Sequence, residues 1–425
     1  LVFFMQAGFS MLEAGAVSNK NVINILFKNI MDASIAGIFF WAFGYAVAYG
    51  PTAGGFIGTG VPFILDIHNN AGGDVATSSD GWEGWFFQWA FAGTAATIVS
   101  GSVAERTKFH AYLIYSAICA TFIYPVVVHW GWGSGFLSAW GAIPDAEGNA
   151  HPLFSGTSAS NGMIDFAGSG IVHMVGGVSG LVGAIVVGAR KERFRNGELQ
   201  QMNGSSTVMQ ALGTTILWFG WYGFNCGSTL MLSGGAANLA GKVAVTTTLS
   251  ATASCLTATL ISHFFEKTFD IGIALNGILA GLVGITANCS VVDPWHAVLI
   301  GFFSAWIYYG ARRLLFFLKI DDPLDAFPIH GCCGYWGLLA TGIFCTDENV
   351  QYAAYPNVNT ACASGEQFGV QVVVGGLIIF VWSFVVSGLV FLGMKMTIGI
   401  RVSEEVEEQG LDVSEHGGFM ENMAA

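Results

Sequence analysis

Two ionisable rings occupy matched positions in two apolar stretches of this 425-residue chain. In DFAGSGIVHMVGGVSG, the pattern Asp-x7-His-x3-Gly-x2-Gly starting at Asp165 places His173, Gly177 and Gly180. In DDPLDAFPIHGCCGYWG, the same pattern starting at Asp322 places His330, Gly334 and Gly337. A neutral imidazole offers one donor and one acceptor, so two adjacent rings can pass a proton or hold a small donor without adding charge. A single polar group in an apolar segment often only satisfies a packing contact, but a repeated ionisable one marks function. Asp165 and Asp322 stand at the ends of their helices, where an aspartate either caps backbone N–H groups or takes part in binding a cation. Asp325 opens the second apolar run in a similar way, and none of these acids reads as catalytic.

The elements that carry the rings belong to a membrane. With 53% hydrophobic and 10% charged residues, 58 glycines and a mean hydropathy of +0.59, the chain is too apolar for an ordinary soluble domain. A crossing takes about 20 helical residues for a hydrocarbon core of about 30 Å. On that rule the expectation is an all-α polytopic protein with spans over 1–17, 30–50, 84–103, 109–131, 164–188, 208–231, 243–263, 271–290, 294–311, 326–345 and 367–397, eleven in all. Residues 1–397 form the membrane domain and 398–425 a polar cytoplasmic tail. The chain opens on LVFF without methionine and shows no cleavable signal, so its N-terminus is expected to be truncated.

Basic residues orient the spans. Lys20, Arg106, Lys108, Arg190, Lys191, Arg193, Arg195, Lys267, Arg312, Arg313, Lys319, Lys395 and Arg401 all fall on alternate loops or at the C-terminal end, and Lys242 falls opposite. The positive-inside rule puts the basic face in the cytoplasm, the C-terminus with it and the start of the chain outside. The outer loops at 51–83, 132–163 and 346–366 are rich in Gly, Asn, Ser and acid, as solvated connections are. The net charge of -13 lies largely in the tail and in loops, and nucleic acid is not an expected partner. The eight cysteines lack zinc-type spacing, and only Cys345 and Cys362, near one loop, are placed to pair.

With five crossings between them, the span of His173 runs inward and that of His330 outward, so the halves are inverted copies. Each histidine lies eight residues, roughly 12 Å of helix, from its own aspartate. Both rings are therefore expected near the midplane, where inverted-repeat transporters place their sites. Only these two histidines read as deep.

The chain resembles the ammonium transporters (Amt/Mep/Rh), most closely the plant-type branch. The resemblance runs over nearly the whole length, through MQAGFSMLEAGAVSNKN from Met5, QWAFAGTAATIVSGSVAERT from Gln88, YPVVVHWGWGSG from Tyr124, both histidine stretches, LWFGWYGFNCGS from Leu217 and GLDVSEHGGF from Gly410. It implies an inverted five-plus-five fold in a homotrimer with one pore per subunit, in the plasma membrane, with no cofactor or metal and no enzymatic activity. Its cargo would be ammonium or ammonia, with methylammonium as analogue. The family's paired pore histidines fall on His173 and His330, its outer recruitment site on Phe91, Trp132 and Ser228, and its stacked ring gate on Phe91 and Phe224. Asp165 falls where the family's acid holds the outer vestibule, and Thr286 where a residue is often placed near the outer mouth. The tail resembles a regulatory C-terminus in which a hydroxyl, here Ser414, is phosphorylated to close the subunits, which would make a kinase or regulatory protein a partner. The chain departs from its relatives at Cys226, at Asn288 and at Cys332 with Cys333.

Moving intact NH4+ through hydrocarbon costs several kcal/mol, and losing the proton avoids it. The expected path is capture at the vestibule, deprotonation near the gate and passage of NH3 along the histidines. A sensor that signals through its tail, a bis-histidine haem protein and a passive gas channel are the competing readings. Flux in liposomes, a Soret band and current on ammonium addition separate them.

Overall fold

A computed structural model describes residues 1–59, 82–140, 143–144, 150–151, 162–355 and 361–417. Parts of the expected outer loops, residues 60–81, 141–142, 145–149, 152–161 and 356–360, and the tail beyond 417 lie outside the described residues. The architecture is all-α. Its principal helical segments are α1 (Met5–Ala16), α2 (Asn19–Tyr49), α3 (Trp82–Ser102), α4 (Phe109–Gly131), α5 (Ser169–Val187), α6 (Thr207–Gly227), α7 (Gly235–Glu266), α8 (Ile271–Thr286), α9 (Pro294–Phe317), α10 (327–344) and α11 (Glu366–Thr397). The tail adds two short helices, α12 (Glu404–Gln409) and α13 (Leu411–His416). By length and composition α2, α4, α5, α7 and α11 are each able to cross a membrane, and α8 is a shorter apolar helix.

The inverted repeat is visible in the packing. Contacts of α1 with α2, α2 with α4 and α3 with α5 recur as α6 with α7, α7 with α9 and α8 with α10, while α1 meets α6 and α5 meets α10 between the halves. Both histidines fall in π-helical turns, Ser169–Met174 opening α5 and Phe327–Cys332 opening α10. Such turns widen the helix locally and recur at functional sites.

Some boundaries differ from expectation for identifiable reasons. The second span starts at Asn19 rather than 30, because the polar residues that lower its hydropathy are buried against partners. Lys28 is fully buried with Nζ on Thr107 O, and the Asn29 amide donates to Glu13 at 2.9 Å. α8 stops at Thr286, four residues early, where the chain turns toward α9. Asn196 and Gly197, both at positive φ, make the two-residue turn of the Phe194–Arg195 and Glu198–Leu199 ladder, a turn chemistry Asn-Gly is suited to. Cys345 and Cys362 are disulfide-bonded, with Cα atoms 5.6 Å apart.

The basic face is locked by ion pairs between loops. Arg190 grips Asp321 through Nε and Nη2 at 2.8 and 3.0 Å and reaches Glu105 at 2.7 Å, while Arg106 donates to the carbonyls of Ala104, Gly188 and Asp321. Burial alone would raise the Asp321 carboxyl, but Arg190 and Arg106 outweigh it and hold the group well below its ordinary value; burial likewise opposes the shift at Glu105, and Arg190 lowers it. These pairs therefore stabilise the fold above the usual carboxylate range and lose that contribution as the pH falls through the depressed values.

Candidate functional site

A file of rings runs into the molecule between α3, α5, α6 and α10. It starts on the side away from the basic face with Trp132, whose ring stands edge-on to Phe91 at 5.7 Å and 87°. Phe91 and Phe224, both fully buried, follow with centroids 4.2 Å apart. Phe224 lies 5.2 Å from His173, whose ring is stacked on Trp221 at 4.9 Å. His330 comes next, with centroids 5.2 Å from His173 and the two Nδ1 atoms 3.2 Å apart. Phe9 stands 6.1 Å beyond. Phe224 and Trp221 come from α6 and the other members each from a different helix or helix end, so the file exists only when the halves pack together.

The imidazole contact has a chemical consequence. A hydrogen bond between the two Nδ1 atoms requires a proton on one and a lone pair on the other. The ring that donates through Nδ1 then presents an accepting Nε2, and its neighbour a donating one. The pair can take up or offer a hydrogen bond in a dry channel without net charge. His173 Nε2 is buried and has no hydrogen-bond partner. The direct contact between the rings also leaves no room for an iron between them, so the residues do not fit a bis-histidine haem.

The flanking polar groups are positioned by backbone chemistry. Asp165 accepts from four successive N–H groups, those of Gly168, Ser169, Gly170 and Ile171, at 2.8–3.1 Å. It thereby caps the turn that carries His173, and its carbonyl accepts the Trp132 indole N–H at 2.7 Å, tying the vestibule ring to the same corner. Asp322 plays the inverted part, accepting the Phe327 N–H at 2.7 Å at the start of the other turn. Asp325, at φ 55°, accepts from Asn276 and Tyr308 and pairs with Arg312, so Asp322 and Asp325 sit toward the basic face and only Asp165 stands at the vestibule end. Ser228 is half-buried, one turn beyond Phe224, and donates to the Phe224 carbonyl at 2.7 Å, which leaves its oxygen free to accept.

Thr286 lies beside the vestibule corner, its carbonyl accepting the Ala167 N–H at 3.1 Å, two residues from Asp165. It is fully buried, donates to Leu282 O and accepts the Trp221 indole N–H at 2.9 Å, so it orients the ring stacked on His173. Another histidine is buried, at the outer end of α4 rather than in the file. His129 is fully buried, but Ala48 O and the Thr52 hydroxyl occupy its nitrogens near the start of an outer loop.

Sequence reasoning passed over Trp221 and Phe9, which look like any other apolar rings. It also passed over Glu13, Lys28 and Asp32, all buried. Ser100 and Asn29 bond Glu13; Tyr112, Ser116 and Thr97 donate to Asp32 at 2.6–3.2 Å. These acids were findable by the rule applied to the histidines, because Glu13 and Asp32 lie inside expected spans.

Comparison with known proteins shows the family. Residues 1–421 match a family described as the Ammonium Transporter Family. "Ammonium transporter 1 member 1" of Oryza sativa subsp. japonica is 42% identical over 421 residues, covering 96% of this chain and 81% of the relative. Its namesake in Arabidopsis thaliana is 40% identical over 423 residues with the same coverage. Among solved structures, "Sensor Amt Protein" superposes with a TM-score of 0.82 at 33% identity, over 97% of this chain and 95% of that one. Saccharomyces cerevisiae Mep2 gives 0.80 at 27% identity over 95% and 85%.

Proposed function

The chain belongs to the ammonium transporter family, multi-pass membrane transport proteins and not enzymes, and from that premise we propose that it captures NH4+ outside, strips its proton at the phenylalanine pair and conducts NH3 along the imidazoles. The observation that carries this reading is the continuous file Trp132, Phe91, Phe224, His173 and His330, closed to bulk water by fully buried rings. Aromatic faces attract a cation through their quadrupole, and the Ser228 oxygen takes one of its N–H donors. Past the Phe91 and Phe224 pair the path offers hydrogen bonds but no charge, so a neutral guest fits and an ion does not. The protein sits in the plasma membrane as a homotrimer, with the basic face in the cytoplasm.

Uptake of ammonium into liposomes containing the purified protein tests the reading, and its absence would favour a sensor. The vestibule makes a further demand. Trp132→Leu removes the outer cation–π face, worth about 0.5–2 kcal/mol, and is expected to raise the half-saturating ammonium concentration about 2- to 30-fold with little change in maximal rate.

The tail regulates from the basic face. The Asp412 carboxylate accepts the N–H groups of Ile23 and Asn24 near the start of α2, Glu415 accepts that of Phe109 at the start of α4, and His416 packs against Phe27 and Phe109. Lys20 donates to the carbonyls of Glu407 and Glu408. Ser414 is exposed on α13 between these two capping acids. Phosphate there adds negative charge beside negative charge and dislodges the helix. Ser414→Asp is expected to lower transport severalfold with the protein still in the membrane, and full transport would remove the switch.

A further inference from the structure

We propose that the glycines of the repeated pattern are positioning residues for the imidazole pair: Gly177 and Gly334 let α5 and α10 cross backbone on backbone, and that crossing sets the 3.2 Å contact between His173 and His330. The proposal rests on the histidine pair being the filter of the pore.

The geometry is reciprocal. A Cβ on Gly177 would overlap the Gly331 nitrogen and lie 2.7 Å from both the Gly331 Cα and the His330 carbonyl carbon. A Cβ on Gly334 would lie 2.5 Å from the Ser169 carbonyl oxygen and 3.1 Å from the Met174 nitrogen. Gly177 and Gly334 each come four residues after their own histidine. Gly177 rests on the backbone at and just after His330, and Gly334 on the backbone one turn before and just after His173. The neighbours are main-chain atoms in capped π-helical turns and have no side-chain freedom with which to yield.

Adding a methyl group at either position would therefore part the helices, by on the order of 1 Å, at the level of the rings. The Nδ1 contact is already at the long end of hydrogen bonding, so such a shift breaks it. A misplacement of that size is enough to cost about 100-fold in a site that works by position.

Gly337 supplies an independent handle. A Cβ there would collide with Ser169 Oγ and lie 2.7 Å from Ser169 Cβ. That hydroxyl donates to Val283 O and accepts from Ala287 N, each at 2.7 Å, fixing the turn of His173 to α8. The two closest obstacles are side-chain atoms and can be exchanged across the interface, while the Gly284 carbonyl oxygen at 3.0 Å stays in place.

The test uses the full chain in liposomes, with ammonium, methylammonium and K+ as probes. Gly177→Ala and Gly334→Ala are expected to reduce ammonium uptake about 10- to 100-fold and to shift the ammonium-to-methylammonium ratio. Gly388→Ala on α11, where the nearest atom to a new Cβ is 3.9 Å away, is expected to leave both unchanged. Gly337→Ser is expected to behave like the alanine variants, and Ser169→Gly added to it to restore at least half of the uptake and the original ratio. Folded alanine variants with an unaltered ratio overturn the proposal. Where those variants do not fold, a folded swap that fails to restore selectivity overturns it. A wild-type protein that carries no ammonium removes the filter reading itself, and this proposal with it.

Discussion

His173→Asp is expected to admit K+ where the native pore excludes it. His173 lies in a dry file between Trp221, Phe224 and His330, with no exposed surface. A neutral ring there offers a cation no charge to offset its lost hydration, and the resulting barrier is several kcal/mol. A carboxylate attracts the cation and brings water with it. Recovering about 3 kcal/mol of the barrier changes passage by a factor on the order of 100. Reversal potentials in mixed ammonium and K+ solutions measure the change, and His330→Glu should act in the same direction. Unchanged ammonium selectivity in both variants would contradict the filter.

Asp165→Ala is expected to have the largest effect on stability. Its carboxylate accepts four main-chain N–H groups at the start of the His173 turn, and Asp165 itself is only 3% exposed. Leaving a buried donor unsatisfied costs about 1–3 kcal/mol, so the substitution loses at least about 4 kcal/mol. That is a large share of the stability of an ordinary fold. The variant should be recovered in low yield, with a thermal midpoint in detergent well below wild type. Asp165→Asn keeps one accepting oxygen and should fall between the two. An alanine variant with the wild-type midpoint would show that the cap is dispensable.

Much of this site is legible in the sequence, because its central residues violate the surrounding composition. A histidine in an apolar run stands out, and a second at the same offset from an aspartate gives the inversion. The aromatic positions have no such contrast. Phe91, Phe224 and Trp132 came from resemblance to known transporters, and Trp221 and Phe9 escaped notice among 13 tryptophans and 34 phenylalanines. What distinguishes them is a partner on another helix, such as Thr286 for the Trp221 indole, and no local spacing encodes that. The start of α2 failed for the same reason. Asn24 bonds the tail, through its backbone to Asp412 and through its amide to His416, almost 400 residues away. A hydropathy window sees only a polar residue where a helix has in fact been buried. The π-helical turns at both histidines were likewise not legible, since their extra residue is decided by the helix crossing rather than by local propensity.

The most direct test of the central claim is simultaneous recording of current and nitrogen uptake in liposomes containing the full-length protein, with ammonium or K+ as the only permeant cation. Saturable ammonium uptake, none of K+, and loss of that discrimination in His173→Asp are expected. Equal passage of ammonium and K+ through the native protein, or no ammonium uptake at all, would contradict that claim.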